Sequence, residues 1–224
     1  MDSIISIANK TTKKIQELYK RVVDYIIIEI FKKEVSILFL GIDNAGKTTL
    51  INKLKSGTTA LSEPTHHPVK NTLSIGKMTA NVIDLGGHTQ ARLIWKEYFY
   101  NCDGVVFIVD VNDSKRFETV KSAYKMVRSL KSRKGRAKVP ISVLMNKIDL
   151  ANHNSLSAER DIEFCEILRR ETGIDNEDES TGQPVKVTYV SITNENGSNL
   201  SGPLGQSFVW LERMIFRRPT KGEL

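Results

Sequence analysis

Gly41-Ile42-Asp43-Asn44-Ala45-Gly46-Lys47-Thr48 constrains this chain more than any other stretch, because it satisfies G-x-x-x-x-G-K-[ST] at every fixed position. Val35-Ser36-Ile37-Leu38-Phe39-Leu40 before it reads as a buried strand, and Thr48-Thr49-Leu50-Ile51-Asn52-Lys53-Leu54 after it reads as a helix. A strand, a glycine-bounded turn and a helix start gather several backbone N–H groups around one anion, and the helix dipole adds to the attraction. In that setting Lys47 reaches β- and γ-phosphates and the Thr48 hydroxyl binds Mg²⁺, with Asp43, Asn44, Ala45, Gly46 and Thr49 completing the nucleotide cradle. An ordinary strand-to-helix turn would leave a lysine inside a Gly-bounded loop unexplained.

A second segment selects the base. Pro140-Ile141-Ser142-Val143-Leu144-Met145 is another buried-strand run, and it delivers Asn146-Lys147-Ile148-Asp149 at its carboxyl end. Ligands of open α/β sheets bind outside the carboxyl ends of strands, which puts this tetrad beside the phosphate loop. The Asp149 carboxylate is acceptor-only and can take the N1–H and exocyclic N2–H₂ of guanine, a donor pair that adenine lacks. Asn146 can hydrogen-bond the base edge and hold the loop, while the Lys147 stem lies on the flat of the ring.

Between these two, Met78-Thr79-Ala80-Asn81-Val82-Ile83 leads into Asp84-Leu85-Gly86-Gly87-His88. Asp84 at a strand end can hold Mg²⁺ through water. Gly86 and Gly87 let the backbone approach a γ-phosphate and hinge as it comes and goes.

Together these motifs resemble the small GTPases of the Arf/Sar branch of the Ras-like superfamily, over about residues 35 to 216. Asp84-Leu85-Gly86-Gly87-His88 with Gln90-Ala91-Arg92 and Trp95-Lys96 is similar to the Sar subfamily in particular, where His stands in place of the usual Gln. Pro64-Thr65-His66-His67-Pro68 is similar to its first switch. The resemblance implies a three-layer α/β P-loop fold with a mostly parallel six-stranded sheet, GTP and GDP as ligands, and Mg²⁺ held by Thr48, Thr65 and Asp84 with Asp43 nearby. It implies that His88 orients the attacking water, and that Ser191, Ile192 and Thr193 offer backbone N–H to guanine O6 although the Ala and Lys of the usual motif are missing. No intrinsic arginine finger can be assigned, so hydrolysis should wait for a coat subunit that supplies one in trans.

Sar GTPases start COPII coat assembly for transport from the endoplasmic reticulum (ER) to the Golgi. The resemblance therefore implies a cytoplasmic protein, peripheral on the cytosolic face of the ER or Golgi membrane. Its partners would be a membrane-bound exchange factor and inner COPII coat subunits, including the activating one. An Arf-like GTPase, a receptor GTPase of the signal-recognition type and a binding-only pseudo-GTPase remain open alternatives. The receptor type would need an N-terminal spanning helix, and no apolar run approaches the ~18 residues required.

Membrane contact is expected from the N-terminus instead. Met1, Ile4, Ile5 and Ala8 fall on one apolar stripe, continued by Ile15, Leu18, Tyr19, Val22, Ile26 and Ile30 with Lys13, Lys14, Lys20 and Arg21 alongside. Asp2 excludes N-myristoylation, the terminal Lys221-Gly222-Glu223-Leu224 is no prenylation box, and no secretory signal is expected. The division is an amphipathic segment 1–33, a GTPase domain 34–218 and a tail 219–224.

Two cysteines, Cys102 and Cys165, give neither a disulfide framework nor zinc spacing. The net charge of +7 invites a nucleic-acid reading. Yet Lys121, Lys125, Arg128, Lys131, Arg133, Lys134, Arg136 and Lys138 form one acid-free segment that matches no recognised nucleic-acid module, so no nucleic-acid partner is expected. His66 and His67 lack a third ligand and read as polar switch residues, and Asp103 and Asp110 as turn residues.

Alternating β and α segments recur as such a domain requires. Strands are expected over 71–75, 77–83, 104–110 and 185–190 besides the two above. Helices are expected over 88–100, with Leu93, Ile94, Tyr98 and Phe99 as apolar contacts, and over 114–131, 155–170 and 204–217. Residues 173–184, acidic and Gly/Ser-containing, are expected to form an exposed loop.

Overall fold

The computed structural model describes residues 33–56, 68–75, 78–87, 92–132, 138–151, 158–175, 177–178, 182–195 and 202–216. The expectations for the N-terminal stripe, Thr65, His66, His67, His88 and the tail lie outside them.

Alternation along the first strand shows why the domain has three layers. In β1 (Lys33–Leu40), Leu38 and Leu40 point into one apolar cluster while Ile37 and Phe39 point into another. β4 (Gly104–Asp110) does the same, with Val105, Phe107 and Val109 on one side and Val106 and Ile108 on the other. A strand whose successive residues are all buried needs helices on both faces.

The helices divide accordingly. α2 (Trp95–Phe99), α3 (Phe117–Ser129) and α4 (Ala158–Thr172) contribute Trp95, Phe99, Phe117, Val120, Tyr124 and Leu168 to the first cluster. α1 (Lys47–Ser56) and α5 (Pro203–Phe216) contribute Leu50, Ile51, Leu204, Phe208 and Leu211 to the second. Ring contacts close both layers: Phe107 meets Tyr124 at 5.4 Å between centroids, and Phe39 meets Phe208 at 6.4 Å.

The sheet also contains β2 (Val69–Ile75), β3 (Met78–Asp84), β5 (Ile141–Asn146), β6 (Glu177–Asp178) and β7 (Gln183–Val190), in the order β2-β3-β1-β4-β5-β7-β6. β1, β4, β5 and β7 run parallel, β2 and β3 pair antiparallel, and so do β6 and β7. Register pairs Asp110 with Asn146, and Asn146 with Val190. The carboxyl ends of the central strands thus open on one edge, where Gly41, Asn146 and Ser191 each begin a loop.

Several sequence expectations need correction. The six expected strands are joined by the two-residue β6, and the expected exposed loop 173–184 is partly structured. Ile174 in it is fully buried, and the buried Gln183 donates Nε2–H to Val139 O at 3.0 Å. Leu93, expected as an apolar contact, is 78 % exposed, and the anchor of that segment is the fully buried Trp95. The helix expected from Ser114 starts as a 3₁₀ turn over Ser114–Arg116. Among the described residues no helix is long and apolar enough to cross a membrane.

Candidate functional site

The loop from Gly41 to Lys47 is shaped by two close approaches. At Gly41, with φ +143°, a Cβ would stand 2.3 Å from Ile108 O, so the loop leaves β1 pressed against the β4 backbone. At Gly46, with φ +107°, a Cβ would stand 2.5 Å from Asn146 Nδ2. Both positions combine a left-handed φ with no room for a side chain, which explains why glycine occupies each. Asn44 is also left-handed, at φ +63°, a conformation Asn tolerates better than most residues. Leu50 N–H donates to Gly46 O at 2.9 Å as α1 begins, so the first amides of the helix face the loop.

Lys47 is 6 % exposed and donates to the carbonyls of Gly41 (3.1 Å) and Ile42 (2.8 Å). Burial pulls its ammonium down to about 8, and Arg116 and Arg92 push the same way. The carboxylates of Asp84 and Asp43 oppose them. A desolvated cation ringed by backbone dipoles is prepared for an anionic ligand that would supply the missing counter-charge.

Thr48 and Asp84 come together as predicted, the Thr48 hydroxyl donating to Asp84 Oδ2 at 2.8 Å, with Asp84 buried at the end of β3. A hydroxyl and a carboxylate side by side at a helix N-terminus form a hard-oxygen donor pair, which fits Mg²⁺. The following backbone lies directly on the phosphate loop, since a Cβ on Gly87 would be 2.2 Å from Asp43 N and 2.6 Å from Gly41 O. Trp95 Nε1–H donates to Gly86 O (3.3 Å) and Arg92 Nε–H to Gly87 O (3.1 Å), so the segment is held from the α2 side as well.

Asn146 joins the phosphate loop to the turn after β7. Its Nδ2 donates to Ala45 O at 2.9 Å, and its Oδ1 accepts from Ile192 N–H at 3.0 Å. Two expectations change here. The Asn146 amide holds not one loop but two, and the Ile192 N–H expected to reach guanine O6 is engaged by Asn146. Ser191 and Thr193 lie in the same turn with their hydroxyls 3.2 Å apart. Lys53 Nζ, from α1, donates to Thr193 O at 2.6 Å and fixes the turn from below.

Lys147 is left-handed at φ 69°, and its ammonium meets Asp110 Oδ2 at 2.6 Å. Asp110 is therefore more than a turn residue: it ends β4, is buried, and also accepts from Asn112 N–H at 3.0 Å. Asn112 in turn donates Nδ2–H to Lys147 O at 2.8 Å. Asp149 follows in the 3₁₀ turn Ile148–Leu150 with its side chain exposed.

Asp43, expected near the metal, is engaged by Arg116. Nη1 lies 2.9 Å from Asp43 Oδ2 and Nη2 3.3 Å from Asp43 O. The pair that the structure offers a cation among the described residues is Thr48 with Asp84. Arg116, Lys53, Asp110 and Asn112 escaped sequence reasoning. Only Asp110 carried a usable signal, an acid at the carboxyl end of a fully apolar central strand.

The model of the ADP-ribosylation factor family matches residues 22–199. A small COPII coat GTPase, SAR1, of Encephalitozoon cuniculi is 50 % identical over 216 residues, covering 96 % of this chain and 96 % of that protein. The small COPII coat GTPase SAR1 of Giardia intestinalis is 33 % identical, covering 83 % of this chain and 92 % of that protein. Among solved structures, the Encephalitozoon cuniculi SAR1 in complex with GDP superposes with a TM-score of 0.64 at 49 % identity, covering 96 % of this chain and 94 % of that one.

Proposed function

Because this chain belongs to the ADP-ribosylation factor family, we propose that it is a small GTPase switch that, in its GTP form, is recruited to the ER membrane and initiates COPII coat assembly. It binds and hydrolyses GTP, as members of this family do. The observation that carries the reading is the Asn146 bridge, which ties the phosphate loop to the turn after β7. The half-identical small COPII coat GTPase, matched along nearly its whole length, directs the reading to coat assembly.

At this site, the first amides of α1 and Lys47 hold the β- and γ-phosphates. Asp149 accepts the two guanine donors, and Lys147 is held ready over the ring by Asp110. Thr48, Asp84 and Thr65 would hold Mg²⁺, whose charge offsets the phosphate oxygens during transfer. His88 orients the water that attacks the γ-phosphate, its imidazole neutral at cytosolic pH with an unperturbed pKa of about 6.5. An activating coat subunit completes the site in trans, and a membrane-bound exchange factor reloads it. The γ-phosphate orders Thr65 and the Gly86–Gly87 backbone, and hydrolysis releases them.

Liposome flotation tests this. GTP-locked protein should float with ER-composition vesicles and GDP-loaded protein should not. Replacing Ile4 and Ile5 by serine should remove about 2–5 kcal/mol of apolar burial at ~25 cal/mol per Å², abolishing flotation while GTP binding stays normal. Equal flotation with both nucleotides, or no loss in the double variant, would refute membrane recruitment by this segment.

A further inference from the structure

Asp43 places a carboxylate inside a loop built to attract anions, where it should repel every phosphate that enters. The structure supplies the counter-charge from another element. Arg116 ends the 3₁₀ turn between β4 and α3 and reaches the phosphate loop with its two terminal nitrogens. One nitrogen meets Asp43 Oδ2 at 2.9 Å, and another donates to the Asp43 carbonyl at 3.3 Å. The Nε–H donates to Asp113 Oδ2 at 2.6 Å and Nη2 meets the same oxygen, so a second acid in the same turn shares the guanidinium and fixes the plane of the fork. On the other side, the Gly87 backbone crowds Asp43 N.

We propose that Arg116 is a positioning residue for nucleotide binding: it neutralises the Asp43 carboxylate and turns it to the rim, so that the loop presents only donors to the phosphates. This rests on the nucleotide-switch reading. Arginine suits the task because its planar fork can grip carboxylate and carbonyl together and never loses its charge. Partial burial raises the Asp43 carboxyl, but its own backbone N–H and Arg116 outweigh that and hold it below the ordinary carboxylate value. Lys47 senses the same pair, raised by Asp43 and lowered by Arg116.

The test is the release rate of a fluorescent GDP from the full chain, in the wild type, Arg116→Ala, Asp43→Asn and the double variant. Wild-type retention of GDP checks the nucleotide-switch reading; the differences among variants check the role of Arg116. Arg116→Ala should speed release about threefold to tenfold at low salt, the range expected for one partly screened charge at the rim, and less at high salt. Adding Asp43→Asn to Arg116→Ala should restore slow release, because the carboxylate that needed neutralising is gone. Arg116→Gln reads the same quantity if the alanine variant does not fold. Unchanged release on loss of Arg116 would overturn the proposal. So would a double variant as fast as Arg116→Ala, since the arginine would then be serving only the fold of the turn.

Discussion

Asn146→Ala should damage the protein twice, and the structure sets the size of the damage. Asn146 is 3 % exposed, and its two bonds end on the Ala45 carbonyl and the Ile192 N–H, in residues that are themselves buried. Truncation leaves both backbone groups without their partner. A buried polar group stranded in this way costs about 1–3 kcal/mol, so the loss should be about 2–5 kcal/mol, at the lower end if water enters the space. With a urea m-value of about 1–3 kcal/mol per M, the midpoint of nucleotide-free protein should fall by about 1–2 M. GDP release should accelerate by at least about tenfold, because the phosphate loop and the base-side turn are no longer joined. Asn146→Asp should be less harmful at Ile192, whose N–H it still accepts, but its carboxylate would face the Ala45 carbonyl. Gly46→Ala attacks the same bond from the other side, its Cβ falling 2.5 Å from Nδ2. Its cost and that of Asn146→Ala should therefore be strongly non-additive in a double-mutant cycle. A loss below about 0.5 kcal/mol with normal GDP retention would refute the role of Asn146 as the bridge.

Asp149→Asn should leave stability unchanged, since the side chain is exposed, but weaken GTP by about one to two decades while xanthosine triphosphate is spared or gains; unchanged GTP affinity, by competition titration, would remove the guanine assignment. Lys47→Ala should abolish nucleotide retention on a desalting column, whereas Lys125→Ala and Lys131→Ala on the exposed, salt-screened surface should not. Burial lowers the Lys47 ammonium to about 8, so the free protein loses that proton above pH 8 while an unfolded lysine keeps it up to about 10.5, and stability of nucleotide-free protein should rise with pH across that window. Phosphates would favour the charged ammonium, so GDP affinity should fall as pH rises above 8, and calorimetry at pH 8.5 in buffers of different ionisation enthalpy should register proton uptake.

What was legible in the sequence was what is local in the chain. Gly41, Gly46, Lys47 and Thr48 lie within one strand-turn-helix unit, so spacing alone fixes their mutual placement, and the buried strand runs before Gly41 and Asn146 fix the edge they share. The polar stretch 173–184 misled because composition reports only the average: Ile174 and Gln183 are buried there among exposed neighbours, and the two-residue β6 has no periodicity to detect. Leu93 misled in the opposite sense, being apolar and exposed.

The residues that tune the site were illegible for a different reason. Arg116 lies 73 positions from the Asp43 it grips, and Lys53 140 positions from the Thr193 carbonyl it holds. Nothing in either segment announces a partner, because the pairing follows from where the sheet delivers each loop. Strand order does announce one case. The rule that selected Asn146, a polar residue at the carboxyl end of an apolar central strand, applies equally to Asp110 on the neighbouring strand, in register with it. Its buried carboxylate holds the Lys147 ammonium at 2.6 Å and the Asn112 N–H at 3.0 Å, while Asn112 holds the Lys147 carbonyl. The Lys147 ammonium and carbonyl are therefore both held from the end of the adjacent strand, a placement that no feature of the Asn146–Asp149 segment itself announces.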